Sequence, residues 1–150
     1  MPPHSEPPDP FDAERFLGAQ DRDGTFDRAL GELAAGAKRT HWMWFVFPQL
    51  RGLGSSPTAT HFALASLAEA VAYLDHPVLG ERLRRATDTV LLGPVDAAEA
   101  LLGPVAARKL RSSMTLFARA APDEGRFTRV LGRLYDGVPD PRTTELLRGG

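Results

Sequence analysis

Apolar residues recur at intervals of three and four along most of the chain, the spacing that places them on one face of an α-helix. Five segments share this pattern: residues 26–33, 67–74, 79–90, 107–117 and 127–134. Because an apolar stripe needs a partner that buries it, we expect these helices to pack against one another. The stripe positions predicted to be buried are Leu79, Leu83, Leu110, Met114, Phe117, Val130 and Leu134.

Capping residues mark the starts of several helices. An Asp-Pro pair occurs at residues 9–10 and again at 140–141. Proline suits the first turn of a helix, and the preceding aspartate can accept hydrogen bonds from its free N–H groups. Ser66 and Glu69 have the spacing of a capping box, and His76, which precedes Pro77, is best explained as a helix-start residue. We predict helices that begin near Pro10, Leu67, Pro77 and Pro141.

Short breaks that contain glycine or proline separate the apolar stripes, at residues 36, 93–94, 103–104 and 122. Breaks of this length fit compact helical packing, and 150 residues fit one domain. We therefore predict an all-α fold, a compact single domain of about seven or eight short helices. The domain is expected to span residues 10–148, and the proline-rich residues 1–9 are expected to form a disordered tail.

Composition and charge narrow the class of partner. The 18 Lys and Arg against 19 Asp and Glu give a net charge of −1, which provides no overall attraction to nucleic acid or to an anionic membrane. The longest apolar run, residues 42–47, is much shorter than the roughly 20 residues of a membrane-spanning helix. The chain has no cysteine, and its first residues lack the features of a secretion signal, so we expect a cytoplasmic protein. No His and carboxylate cluster has metal-ligand spacing, and we predict no metal or other cofactor.

Two segments depart from the helical pattern. Residues 40–48 (Thr-His-Trp-Met-Trp-Phe-Val-Phe-Pro) are apolar on every side and could form a buried strand or a buried helix by periodicity alone. Because the chain contains no alternating partner strand, we prefer the helix. Residues 48–57 contain two glycines and two prolines and are predicted to form a shaped loop.

Residues 40–48, here called the aromatic segment, also carry a family resemblance. Residues 38–49 read Lys-Arg-Thr-His-Trp-Met-Trp-Phe-Val-Phe-Pro-Gln, and related motifs follow at residues 52–54, 69–70, 73–74, 76–80, 82–83, 109–110, 112–117 and 140. In these motifs the chain resembles DUF1810, a largely bacterial family of uncharacterised proteins. The resemblance extends from about Phe11 to Leu147 and implies an all-α fold, but it implies no activity. Some members are labelled calpastatin, and the globular composition does not support that label, because calpastatin resembles a disordered repeat protein.

The chain departs from the family pattern at two positions. The resemblance implies an aspartate shortly before the lysine of a Lys-Leu-x-Ser-Ser motif, and this chain has Ala106 there. If that aspartate is catalytic in the family, this member is impaired. Many members also have tyrosine where this chain has Phe62, which lacks the phenolic hydroxyl.

Several polar residues could form a site, and each also has a structural interpretation. His41 could act as a general base or contact a phosphate, although a histidine bonded to the backbone is the preferred interpretation. Lys109 and Ser113, one helical turn apart, could bind an anion. Alternatively, the stem of Lys109 could lie along the helix surface while the hydroxyl of Ser113 donates a hydrogen bond back to the helix backbone. In a helix, Trp42 and Trp44 point about 160° apart, so both cannot line one pocket and at least one is structural.

Our leading hypothesis is a ligand-binding domain or an enzyme whose reaction and catalytic residues are not assigned. Its ligand would carry phosphate or carboxylate, because the distinctive polar residues are mainly hydrogen-bond donors. We predict that residues 38–49 meet the helix that carries Lys109 and form one site with it. The alternative is a non-enzymatic protein-interaction or scaffold domain that exposes the aromatic segment to a protein partner. The candidate ligand-binding residues are Lys38, Arg39, His41, Trp44, Gln49, Arg51, Lys109 and Ser113.

Overall fold

The computed structural model describes residues 12–149, and these form ten α-helices and one short 3-10 turn, Arg22–Gly24. No strand occurs in this range; Leu50 and Leu64 form an isolated bridge. The all-α prediction is confirmed. The helices are α1 (Ala13–Asp21), α2 (Thr25–Ala35), α3 (Met43–Val46), α4 (Pro57–His61), α5 (Leu67–Asp75), α6 (Leu79–Leu92), α7 (Ala98–Leu102), α8 (Pro104–Ala120), α9 (Gly125–Leu134) and α10 (Pro141–Gly149).

The helix starts agree with the capping signals wherever the structure describes them. Helices α5 and α10 begin at the predicted residues, and α6 begins at Leu79, two positions after Pro77. Ser66 Oγ accepts a hydrogen bond from Glu69 N, as a capping box requires, and His76 Nδ1 accepts bonds from the N–H groups of residues 78 and 79. The predicted start at Pro10 and the predicted tail, residues 1–9, lie outside the described residues.

The predicted number of about seven or eight helices matches the number of longer helices in the structure. Seven of the helices in residues 12–149 have nine residues or more, whereas α3, α4 and α7 have only four or five. A helix of one turn is too short to show a period of 3.6 residues, so the apolar pattern could not reveal these three.

Helix α8 lies at the centre of the fold, where α3, α5, α7, α9 and α10 pack against it, and α6 joins α2, α5 and α9 on one side. The described helices share one hydrophobic core. Six of the seven stripe residues predicted to be buried are buried, and Leu134 is half-buried against the core. Periodicity therefore identified the core-facing side of α6, α8 and α9.

The aromatic segment is mostly irregular, which corrects the preference for a helix through residues 40–48. Only Met43–Val46 form a helical turn, and the chain on both sides of it has non-helical backbone angles at Trp42 and Phe47. Most of the segment is nevertheless buried. Its backbone polar groups consequently need partners from elsewhere in the chain.

Within the described residues, no helix is both long enough and apolar enough to cross a membrane. The cytoplasmic location stays a prediction.

The buried stripes predict how stability responds to truncation. Leu83→Ala or Leu110→Ala should lower the free energy of unfolding by about 2–5 kcal/mol, because each change removes buried methyl groups and leaves a cavity. Leu92, which is 87% exposed, is the matched control, and Leu92→Ala should change stability by less than about 0.5 kcal/mol. Chemical denaturation of the three variants checks this, and equal midpoints would contradict the packing described for α6 and α8.

Candidate functional site

The carboxylate of Glu32, on α2, holds the start of the aromatic segment. Its Oε1 accepts hydrogen bonds from Arg39 N at 2.6 Å, Thr40 N at 3.0 Å and Trp42 Nε1 at 2.9 Å. Its Oε2 accepts a bond from Thr40 Oγ1 at 2.6 Å. Burial alone would raise the pKa of this carboxyl, but the four hydrogen bonds favour the charged form and lower its pKa to about 2. Glu32 therefore remains an anion inside the fold.

A second buried group holds the end of α3. Gln20 Nε2, on α1, donates to Phe45 O at 2.7 Å and lies 3.1 Å from Tyr73 Oη, on α5. Arg82 in turn donates to Gln20 Oε1 at 3.2 Å. The short helix is thus fixed at both ends by side chains from other helices.

The two tryptophans have different surroundings. Trp42 is fully buried and bonded to Glu32, so it is structural. Trp44 is half-buried, and Lys109 Nζ, on α8, lies 4.0 Å from the centre of its ring. This cation–π contact joins the aromatic segment to α8, which places the two distinctive motifs against each other.

A cleft of about 350 Å³, here called the lysine cleft, lies between the aromatic segment and the first turn of α8. Four candidate residues line it together. No carboxylate contributes to its lining, and Ala106 forms part of its wall. The four candidates are Lys38, His41, Trp44 and Lys109, and Ala106 lies beside them.

The two lysines give the lysine cleft a positive charge. Burial lowers the pKa of Lys109, and the neighbouring positive charge of Lys38 lowers it further. Burial also lowers the pKa of Lys38, and the charge of Glu32 opposes that effect. Lys38 Nζ donates to Thr40 O at 2.6 Å, but neither lysine forms an ion pair within residues 12–149.

The N-terminus of α8 adds to this positive charge. Gly103 precedes the helix with φ 82° and ψ 164°, a backbone conformation that glycine adopts far more readily than other residues. Pro104 follows as the first helical residue, and no side chain caps the helix. Residues 103–106 line the cleft, so the positive end of the helix dipole lies beside it.

A second cleft, of about 280 Å³, continues on the other side of Lys109. Gln49 lines it together with Arg108, Ser112 and Arg142, and Val105 and Lys109 form a wall of both clefts. Gln49 and Lys109 therefore do come together, as the sequence predicted. Arg108 and Arg142 were not predicted, because each is an ordinary surface charge of its helix and has no local signal.

Four candidate residues do not line the lysine cleft: Gln49, described above, and Ser113, Arg51 and Arg39. Ser113 is fully buried in α8, and its Oγ has no hydrogen-bond partner in the described structure. Arg51 lines a different cleft beside α10, and Arg39 is exposed outside these clefts. His41 is exposed, and its interpretation as a histidine bonded to the backbone stays a prediction.

Comparison with known proteins agrees with the fold. The profile of a protein of unknown function, DUF1810, matches residues 10–147. The chain belongs to the DUF1810 family. A solved structure, the conserved hypothetical protein Rv1873 from Mycobacterium tuberculosis, is 49% identical, with a TM-score of 0.89 over 93% of this chain and 99% of that one. No curated protein shows significant similarity to the chain. Membership of DUF1810 thus supplies a fold and no activity.

The pKa of Glu32 predicts a specific loss of stability in acid. The folded state lowers this pKa from 4.5 to about 2, so the stabilising contribution is complete above pH 4.5 and is lost as the pH falls towards 2. Between these two pH values the free energy of unfolding of the wild type should fall by roughly 3 kcal/mol more than that of Glu32→Gln. The glutamine keeps an oxygen acceptor for the three N–H groups and an amide donor for Thr40. Urea denaturation at several pH values measures the difference, and parallel pH profiles would contradict it.

The unpartnered hydroxyl of Ser113 predicts an unusual response to truncation. Ser113→Ala should leave stability unchanged or raise it by up to about 1 kcal/mol, because a buried hydroxyl without a partner carries a desolvation cost. Thr115→Ala, two residues away, is the matched control. Its Oγ1 donates to Arg111 O and accepts from Asp140 N, each at 2.8 Å, so its loss should cost about 1–2 kcal/mol. Equal losses in the two variants would mean that Ser113 has a partner.

Proposed function

We propose that this chain binds a small phosphate- or carboxylate-bearing molecule in the lysine cleft, with its anionic group between Lys38 and Lys109. One observation carries the proposal. Two lysines line the same small cleft, no carboxylate lines it, and neither lysine has an ion pair within the described residues.

The electrostatics of the free protein favour an anion at this place. The positive charge of Lys38 lowers the pKa of Lys109, which means that the two ammonium groups repel each other. A bound anion replaces this repulsion by attraction to both groups. The uncapped N-terminus of α8 supplies N–H donors that suit the same ligand.

The remaining walls suit the rest of a small molecule. The ring of Trp44 offers an apolar face, and His41 offers an exposed imidazole at the edge of the cleft. Beyond Lys109, Gln49 supplies an amide that can donate or accept a hydrogen bond. An apolar wall with a few convergent polar groups is typical of small-molecule sites.

The alternative, a protein-interaction surface formed by the aromatic segment, lacks the exposed residues that it requires. Trp42 and Phe47 are 0% exposed, and Phe45 is 9% exposed. An interaction hot spot needs such rings at the surface of the free protein, or a rearrangement that exposes them. The ligand-binding hypothesis therefore has the better support.

The proposal predicts which indole group responds to anions. Titration with orthophosphate, and separately with citrate, should shift the NMR signal of Trp44 Nε1–H together with the amides of residues 105–109. Trp42 Nε1–H should stay constant, because it is bonded to Glu32 within the core. Lys109→Gln should weaken the binding by about tenfold or more, because it removes a charged hydrogen-bond donor.

Position 106 offers a matched pair of variants. Ala106→Asp places a carboxylate in the cleft wall, three residues before Lys109, where it should compete with the anion and weaken binding by about tenfold or more. Ala106→Asn has nearly the same size without the charge and should keep most of the affinity. An aspartate in the first turn is compatible with the helix dipole, so the variant is expected to fold. The proposal fails if neither anion shifts the Trp44 signal, or if the two variants bind equally well.

A further inference from the structure

A larger cleft, of about 620 Å³, lies on the other side of the aromatic segment. We call it the arginine cleft, because Arg15, Arg22 and Arg28 contribute to its lining. Helices α1, α2 and α4 form its sides, and Thr40 and Phe45 form the side that belongs to the aromatic segment. The sequence pattern did not single out these arginines, because Arg15 and Arg28 lie on ordinary amphipathic helices and Arg22 lies in the short 3-10 turn.

The arginines of this cleft differ in what they contact. Arg15 is fixed in place, because its Nη1 donates to His61 O at 2.6 Å and to Ala63 O at 3.2 Å. Arg22 and Arg28 are exposed, and neither forms an ion pair in the described part of the chain. Arg28 donates only to a backbone oxygen, that of Asp23, at 2.8 Å. Two guanidinium groups therefore remain able to bind an anion.

Several arginines elsewhere in the fold form ion pairs. Arg82, Arg84 and Arg126 each pair with a carboxylate at 2.5 to 2.8 Å. In the arginine cleft the one carboxylate of the lining is Glu14, which is exposed. Arg22 and Arg28 therefore lie beside the arginine cleft without an ion pair in the described residues, as Lys38 and Lys109 do beside the lysine cleft.

The two clefts meet at one side chain. His41 lines both the arginine cleft and the lysine cleft. The segment from Thr40 to Phe45 is their common wall: Thr40 and Phe45 face the arginine cleft, whereas Met43 and Trp44 face the lysine cleft. Because His41 is exposed at this junction, a ligand that enters one cleft can reach the other across its imidazole.

We infer that the two clefts form one extended site for a molecule with two separate anionic groups, such as a sugar bisphosphate. This inference rests on the proposed function and extends it. Lys38 and Lys109 hold one anionic group, and Arg22 and Arg28 hold the other. His41 contacts the middle of the ligand, and the rings of Phe45 and Phe62, 5.3 Å apart, provide an apolar surface in the second cleft.

A pair of sugar phosphates tests the second subsite. Isothermal titration calorimetry compares fructose 6-phosphate with fructose 1,6-bisphosphate, which differ by one phosphate. The wild type should bind the bisphosphate about tenfold or more tightly than the monophosphate. The double variant Arg22→Gln and Arg28→Gln should remove this advantage and leave the affinity for the monophosphate within about twofold of the wild type.

Two further variants separate the possible outcomes. Arg119→Gln with Arg129→Gln removes the same charge from exposed positions that line neither cleft, and it should keep the advantage of the bisphosphate. Lys109→Gln should weaken the binding of both compounds.

The outcomes that overturn the inference differ from those that overturn the proposed function. If the wild type binds both compounds equally, and Lys109→Gln weakens both, the anion site stands and the extension into the arginine cleft is wrong. An equal effect of the two double variants also overturns the extension, because only the overall charge would then matter. If neither compound binds, or if Lys109→Gln changes nothing, the extension and the phosphate form of the proposed function are both wrong.

Discussion

The buried carboxylate of Glu32 is the interaction on which the candidate site depends. The chain leaves the regular helical pattern after α2 and enters the core at Trp42 through irregular backbone, whose N–H groups need partners from elsewhere in the chain. One side chain accepts four hydrogen bonds from Arg39, Thr40 and Trp42 and so fixes the course of the chain there. Lys38 lies just before these residues and Trp44 just after them, so the position of both follows from that anchor.

Most of the fold could be predicted from the sequence because its determinants are local. Ser66 and Glu69 lie three residues apart, and apolar residues at helical spacing define the buried side of α6 and α8. The aromatic segment could not be predicted in this way, since its backbone conformation is set by contacts distant in sequence. Gln20 and Phe45, for example, are 25 residues apart, and no local pattern in the sequence indicates that they meet.

The candidate site was predicted in part, for a related reason. Unusual composition singled out the aromatic segment and the helix of Lys109, and the structure brings them together. The direction of each side chain was less predictable. Arg39 and Arg51 lie in irregular backbone, where no period tells which way a residue points. Ser113 lies on a regular helix, yet it is fully buried, because several helices pack against α8.

The distribution of charge carries more information here than the net charge. A value of −1 gives no overall attraction to anions, yet it does not describe the field inside a cleft. Glu32 serves backbone and side-chain donors, and Glu124 and Asp88 pair with arginines of other helices. None of these carboxylates lines the lysine cleft, and neither of its lysines forms an ion pair in the described residues, although the charge of Glu32 acts on Lys38. Repulsion between the two lysines lowers the pKa of Lys109, and an anion that binds between them in the folded state would stabilise that state.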